Sequence, residues 1–379
     1  MTDLVVLSLE GWDQVWRRNQ YLVAGLLRTD PKLRVLFVEP AADPLYALAS
    51  RRRPQVGRGL RPVALDGVAA GRLWSLQPTK LFPRRLDPQV DERAAREVRA
   101  VAGRLGFDDP ILWVNDPVGA TTLKVTGWAG LYDITDDWLE AERTPAEHAR
   151  LVRDEDFLMG ACAEVVVCSP GLVATKSQLR PVTLVRNAVD VEEYRVRRPR
   201  PRDLPEGPVA LYLGTIHTDR IDVGLCVDTA TALRGRGSLV LVGPAPLEAA
   251  DAARLEAAGV LLLGPKDRRE VPAYLQHADV LVVPHVVTSF TDSLDPIKLY
   301  EYQAVGRPVV STPVAGFRDS GDPRVSVASG PEFIEQVSRA LPSESRFPEG
   351  ADGDVPTWAD RVDQMRAVIE RVRGSRASR

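Results

Sequence analysis

Short unbroken runs of branched apolar residues recur along the whole chain, each followed by an amphipathic helical stretch. That alternation limits the chain to parallel α/β units. In the first half the strand candidates are residues 4–9, 33–39, 111–115, 130–134, 164–168 and 182–186. In the second half they are 209–214, 238–243, 260–264, 279–284 and 308–311. Runs such as LVVLSL and DVLVVP show no polar alternation and suit strands covered on both faces. At 379 residues the chain exceeds one comfortable core. The Pro- and Arg-rich stretch RVRRPRPRDLPEGP (195–208) has no periodicity and reads as a linker. The expectation is two doubly wound domains, 1–190 and 209–350, joined by a linker over 191–208, with a final amphipathic helix and tail in 351–379.

Composition removes several classes of function. The apolar (44%) and charged (27%) fractions are those of a soluble globular protein, and a net charge of −3 gives no basic signal for nucleic acid. Cys162, Cys168 and Cys226 are too scattered for a disulfide framework and lack the partner pair a zinc site needs. The start, MTDLVVLSLEGW, has neither the cationic segment nor the apolar length of a signal peptide. No run of about 18 apolar residues exists to cross a bilayer. A cytoplasmic protein is expected.

Doubly wound folds bind ligands at the carboxyl ends of their strands. In the first half those ends carry EGWDQ, NDP and TDDW. In the second they carry GTIHTDR, GPAP, GPKDRR and PHVVTSFTDSLDP. The first strand is not followed by G-x-G-x-x-G, which argues against a dinucleotide dehydrogenase, and G-x-x-x-x-G-K-[ST], H-E-x-x-H and G-x-S-x-G are missing too. The other device for phosphate is a helix N-terminus, with its unpaired N–H groups and positive dipole end. SLDPIKLYEYQAVGRPVVS (293–311) supplies one: Asp295 reads as its cap and Pro296 as its first helical residue. Lys298 and Glu301, three apart, project from one face. Lys298 adds a positive charge, and Glu301 can accept two hydrogen bonds from a vicinal diol such as a ribose. A nucleoside diphosphate fits that set.

Four stretches of the second half carry a family likeness: LVRNAVDVEEY (184–194), LYLGTIHTDR (211–220), LLLGPKDRREVPAYLQHADVLVVP (261–284) and IKLYEYQAVGRPVVST (297–312). They resemble the donor-binding domain of GT-B glycosyltransferases, closest to family 4 and its branch in bacterial polysaccharide and natural-product pathways. The first half is similar in outline only, through RRNQYLVAGLL, RVLFVEP and YDITDDW. The resemblance implies two Rossmann-like domains facing a cleft, with a C-terminal helix crossing back to the N-terminal domain. It implies a transferase of class EC 2.4 that moves a sugar, with retention, from a nucleoside-diphosphate sugar to a hydroxyl acceptor. That acceptor would be a glycan, a lipid-linked molecule or a natural product. No cofactor is implied.

Site residues follow from the same resemblance. Glu301 matches the glutamate that holds the ribose, Lys298 and Arg220 are diphosphate contacts, and Thr215 stands where the family has an arginine. Gly11 matches the glycine loop, followed by Trp12. Gly214, Gly243, Pro265 and Lys266 would line the nucleotide, leaving uracil, thymine or guanine open. Ser293 replaces the first glutamate of the Glu-x7-Glu motif; Ser293, Leu294 and Asp295 would then lie beside the donor sugar, with Asp292 or Asp295 substituting. Asn115 stands where a histidine is frequent, so Asp116, Asp133, Asp136 or Asp137 would take the catalytic acid's place. Trp12, Asn115, His217 and His285 are candidates for the sugar or acceptor cleft. Each has a plainer reading beside it: a cap, an exposed charge or a structural hydrogen bond. The D-x-x-D-D run at 133–137 could suggest a metal, but a cationic helix end already offsets phosphate charge, so metal independence is expected. A non-catalytic nucleotide-sugar-binding partner and an epimerase on the same fold stay open. RRRPQVGRGLRP (51–62) and LFPRRL (81–86) mix basic and apolar residues, a candidate for peripheral contact with the inner membrane face, against solvated arginine-rich loops.

Overall fold

The computed structural model describes residues 2–13, 16–50, 53–140, 143–341 and 355–377. They form two compact units: Met1–Arg186 with Trp358–Arg379, and Asn187–Thr357.

Among the described residues the first unit contains β1 (Thr2–Leu7), β2 (Leu33–Val38), β3 (Gly59–Pro62), β4 (Leu73–Gln77), β5 (Ile111–Val114), β6 (Ala129–Ile134), β7 (Glu164–Val167) and β8 (Thr183–Leu184). They lie in the order β3-β4-β2-β1-β5-β6-β7-β8. All pairs are parallel except β3 with β4, whose short edge strand the apolar runs did not announce. The helices are α1 (Arg18–Thr29), α2 (Pro44–Ala49), α3 (Val90–Arg104), α4 (Ala120–Thr126), α5 (Pro145–Ala161) and α6 (Pro170–Lys176). Leu4, Val5, Leu36, Leu112 and Val166 are fully buried, as strands sandwiched between helices require.

The second unit starts with α7 (Val191–Arg195). Its sheet holds β9 (Val209–Leu213), β10 (Ser238–Val242), β11 (Leu261–Leu262), β12 (Val280–Val283), β13 (Val309–Ser311) and β14 (Val325–Val327), ordered β11-β10-β9-β12-β13-β14 and all parallel. Its further helices are α8 (Val223–Ala232), α9 (Ala249–Ala258), α10 (Val271–Gln276), α11 (Ser289–Asp292), α12 (Ile297–Val305) and α13 (Gly330–Ala340). The period-2 alternation splits the central strands between two cores. Val209 and Leu211 pack with Leu299 and Tyr302, whereas Ala210 and Tyr212 pack with Leu225, Leu255 and Phe333.

The stretch 191–208, expected as a linker, belongs to the second unit. The Gln276 side chain accepts the Arg198 N–H at 2.9 Å and donates to the carbonyls of Tyr194 and Val196. Asp203 accepts from Tyr274 and Lys266, and Leu204 is buried. Proline and arginine removed the periodicity while leaving the backbone well bonded.

The last helix, α14 (Trp358–Ala377), packs with the first unit against α1. Gly25 makes room for Val362, because a Cβ there would lie 2.2 Å from its methyl group. Trp358 stacks on Tyr21 with centroids 4.7 Å apart.

Buried charge ties α1 to the sheet. Arg18 makes two hydrogen bonds of 3.0 Å to Asp133 at the end of β6, and both side chains are almost wholly buried. Arg18 also donates to the Arg186 carbonyl at 3.3 Å, and Trp113 and Asn115 donate to Asp133. Removing one partner leaves the other as an uncompensated buried charge. Asp133→Ala should therefore cost about 3–5 kcal/mol, read as a lower denaturant midpoint. The apolar pair Arg18→Met/Asp133→Leu should recover much of that loss. Unchanged stability in Asp133→Ala would contradict a structural role.

Candidate functional site

In the second unit the carboxyl ends of β9 and β10 are closed by Gly214 and Gly243, at φ 147° and 142°. A Cβ on Gly243 would lie 2.1 Å from the Gly214 carbonyl oxygen, so only glycine allows the two turns to touch. The Gly243 N–H donates to Gly264 at 3.0 Å, bringing the end of β11 into the same corner.

Helix α12 starts beside these turns. Its N-cap residue is Pro296, and no side chain caps it. Asp295, expected as the cap, instead accepts the Asn187 N–H at 2.6 Å and the Tyr300 hydroxyl at 2.8 Å. This corrects the sequence reading, and the physical reason is competition: the buried Asn187 N–H and the buried Tyr300 hydroxyl of α12 occupy that carboxylate.

Lys298 reaches from the first turn of α12 to the end of β9. Its Nζ donates to the Tyr212 hydroxyl at 2.9 Å, lies 4.2 Å from that ring's centroid and is 3.5 Å from His285 Nε2. A Cβ on Gly214 would be 2.9 Å from the same ammonium. Glu301, one turn on, is half-buried and accepts the Tyr194 hydroxyl at 2.6 Å. Burial raises its pKa, opposed by that hydrogen bond and by Lys298. Arg220 lies in the loop whose carbonyl accepts the Val286 N–H, and it acts on His285 as a nearby positive charge. The Thr215 carbonyl accepts from Tyr212. Ser293 is buried and Leu294 half-buried, immediately before Asp295.

Other candidates fall elsewhere. Pro265 is exposed, and Lys266 pairs with Asp203 at 2.5 Å next to the Tyr274 ring. His217 is about half exposed, with Asp219 3.9 Å away. In the first unit Gly11 is buried, its carbonyl accepting from Gln20. Trp12 is buried edge-on against Phe37, and its N–H donates to Glu39. Asn115 is buried between Asn19 and Asp133.

The expected catalytic acids separate clearly. Asp133 is locked by Arg18, and Asp137 is held by Lys176 at 3.0 Å, which Glu155 also binds at 2.7 Å. Both carboxylates are occupied by buried cations, which corrects their assignment as free acids. Asp116 differs. It caps a short 3-10 turn through the Val118 N–H and lines a small hollow with Ser8, Asp91 and Thr122. Burial raises its pKa. Among the described residues no three His, Cys, Asp or Glu side chains are grouped to hold a metal. No helix among them is long and apolar enough to cross a membrane.

The sequence reading missed the supports. Tyr194 and Asn187 sat inside the quoted stretch 184–194, but nothing local linked them to Glu301 and Asp295, more than 100 positions away. Tyr212 looked like a core aromatic, and it is one, apart from the hydroxyl that meets Lys298.

Residues 207–342 match the family described as glycosyl transferases group 1. The chain is 21% identical over 329 residues to TuaH of Bacillus subtilis (strain 168), provisionally named a teichuronic acid biosynthesis glycosyltransferase, covering 81% of this chain and 80% of that one. It is 25% identical over 180 residues to the amylovoran biosynthesis glycosyltransferase AmsK of Erwinia amylovora, covering 45% and 43%. The crystal structure of Anabaena HepE in complex with UDP and glucose superposes with a TM-score of 0.64 at 13% identity, covering 98% of this chain and all of that one. Two parallel-sheet units of this kind define the GT-B fold. Over residues 207–342 the chain is thus similar to the group 1 glycosyltransferases, on a GT-B fold.

Burial, then Lys298 and Arg220, lowers the His285 pKa to about 2. Folded His285 therefore stays neutral while unfolded His285 takes a proton below about pH 6.5. Its contribution to stability is flat above that pH. Below it, toward pH 2, stability falls by about 1.4 kcal/mol per pH unit. Denaturant melts from pH 7 to pH 4 should show a shallower acid slope for His285→Gln than for the parent. Equal slopes would refute a neutral buried imidazole.

Proposed function

We propose that the protein transfers a sugar from a nucleoside-diphosphate sugar to a hydroxyl acceptor in polysaccharide assembly, with retention and without a metal. The observation that carries this is Lys298 and Glu301 on one face of the uncapped start of α12. The diphosphate lies against the N-terminal end of α12, with Lys298 as its counter-charge and Arg220 beside it. The ribose hydroxyls meet the Glu301 oxygen that Tyr194 leaves free. As the bond to the sugar breaks, negative charge grows on the leaving diphosphate. A fixed ammonium and a helix end stabilise it with little reorganisation. The relatives' names support a polysaccharide product, and the UDP in HepE supports uracil as the base. Retention rests on the family resemblance. Asp116 is the acid whose burial best suits proton transfer.

Calorimetric titration tests the donor site. A charge-assisted bond contributes about 1.5–3 kcal/mol, so Glu301→Ala should weaken UDP binding roughly 10- to 100-fold. Lys298→Ala should weaken UDP much more than uridine. Parent-like UDP affinity in both variants, with the fold intact, would remove the assignment. Separately, EDTA should leave sugar transfer unchanged; a loss restored by Mg²⁺ or Mn²⁺ would refute metal independence.

A further inference from the structure

We propose that Tyr194 is a positioning residue for the ribose: its hydroxyl holds the Glu301 carboxylate so that one oxygen faces the nucleotide. The proposal rests on the donor-site reading above and adds to it a residue from outside α12 and the strand ends. Tyr194 belongs to α7, and its hydroxyl donates to Glu301 Oε1 at 2.6 Å across 107 positions of sequence. That length is typical of a hydroxyl donating to a charged oxygen.

The hydroxyl is itself held in place. Tyr194 is buried in the same core as Leu204, Val209, Tyr274 and Leu299. Gln276 of α10 donates to the Tyr194 carbonyl at 2.8 Å, and Glu193 pairs with Arg268 at 2.8 Å. These ties join α7 to α10 and to the loop before it, and α7 also packs on α12. A helix of five residues has little stability of its own, so the ties are what fix the hydroxyl. A free glutamate has several rotamers to lose on meeting a ribose. With one oxygen already bonded, that freedom is gone before the nucleotide arrives.

The same bond sets the charge. Burial raises the Glu301 pKa, opposed first by the Tyr194 hydrogen bond and then by Lys298. From α7, Glu193 raises it; from the loop before α10, Arg268 lowers it, and those two charges are paired with each other. Without the Tyr194 hydroxyl, burial is less opposed and the carboxyl takes its proton at a higher pH. A neutral carboxyl loses the charge-assisted strength of its bonds to the ribose.

Calorimetric titration of Tyr194→Phe tests this, because phenylalanine keeps the buried ring and removes the hydroxyl alone. UDP binding should weaken roughly 5- to 20-fold at neutral pH. On acidification the variant's affinity should fall at a higher pH than the parent's, the ligand's own titration being common to both. For 2′,3′-dideoxy-UDP, which offers Glu301 no hydroxyl, parent and variant should bind alike. Adding Tyr194→Phe to Glu301→Ala should bring no further loss. A tyrosine that only supports the fold would weaken both ligands equally and leave the pH profile in place, and that result overturns the proposal. Parent-like UDP binding in Tyr194→Phe, with weak binding in Glu301→Ala, also overturns it while leaving the donor site standing. Parent-like binding in Glu301→Ala as well removes the donor site and this proposal together.

Discussion

The burial of both faces of the parallel sheets is the constraint from which the rest follows. In the second unit the central strands send alternate residues into two apolar cores, so neither of their faces has room for a charged group. Polar chemistry can emerge only where strands end. At the carboxyl ends of β9 and β10, neighbouring turns also crowd each other, which is why Gly214 and Gly243 hold conformations that other residues avoid. Because those glycines lack side chains, the corner is open enough for a lysine from α12. The site is thus a consequence of how the sheet closes.

The two units use their strand ends differently. In the first, Asp133 and Asp137 bind Arg18 and Lys176 in buried pairs, and the energy of desolvating those charges is recovered only through their mutual attraction and hydrogen bonds. Such acids fix helices to the sheet. In the second, Lys298 is met by a hydroxyl, an aromatic face and a neutral imidazole. The Glu301 carboxylate, one turn on, acts on it as a nearby charge. A cation locked in a buried carboxylate pair is spent on the fold, whereas one at a half-buried strand end keeps a field that an anion can feel.

This difference also sets what the sequence could reveal. Strands betray themselves through unbroken Val and Leu runs, and the Lys298–Glu301 pair through its spacing on one helix face. Both are local patterns. The partner of Asp133 lies 115 residues away, so YDITDDW alone reads equally well as a set of catalytic acids. Asp295 failed as a cap for a related reason, since one of its donors, Asn187, becomes a neighbour only after folding. The edge strand β3 escaped notice because its residues, GLRP, include a proline and an arginine, and its pairing is with a single neighbour. The 191–208 stretch looked free because hydrogen bonds to Gln276 leave no mark in its own composition.

The neutral His285 gives the clearest view of how the site is tuned. An imidazolium 3.5 Å from the half-buried Lys298 ammonium would set two positive charges against each other, so burial of the ring and repulsion both favour its neutral form. A neutral ring can still exchange a hydrogen bond with Tyr212, whose hydroxyl in turn receives the Lys298 proton. The chain His285–Tyr212–Lys298 therefore orients the ammonium without lowering its charge. It also removes His285 as a proton donor near neutral pH, despite its place at a strand end. What remains at this corner is a fixed positive field from Lys298 and the start of α12, and its strength does not vary with the protonation of its supports.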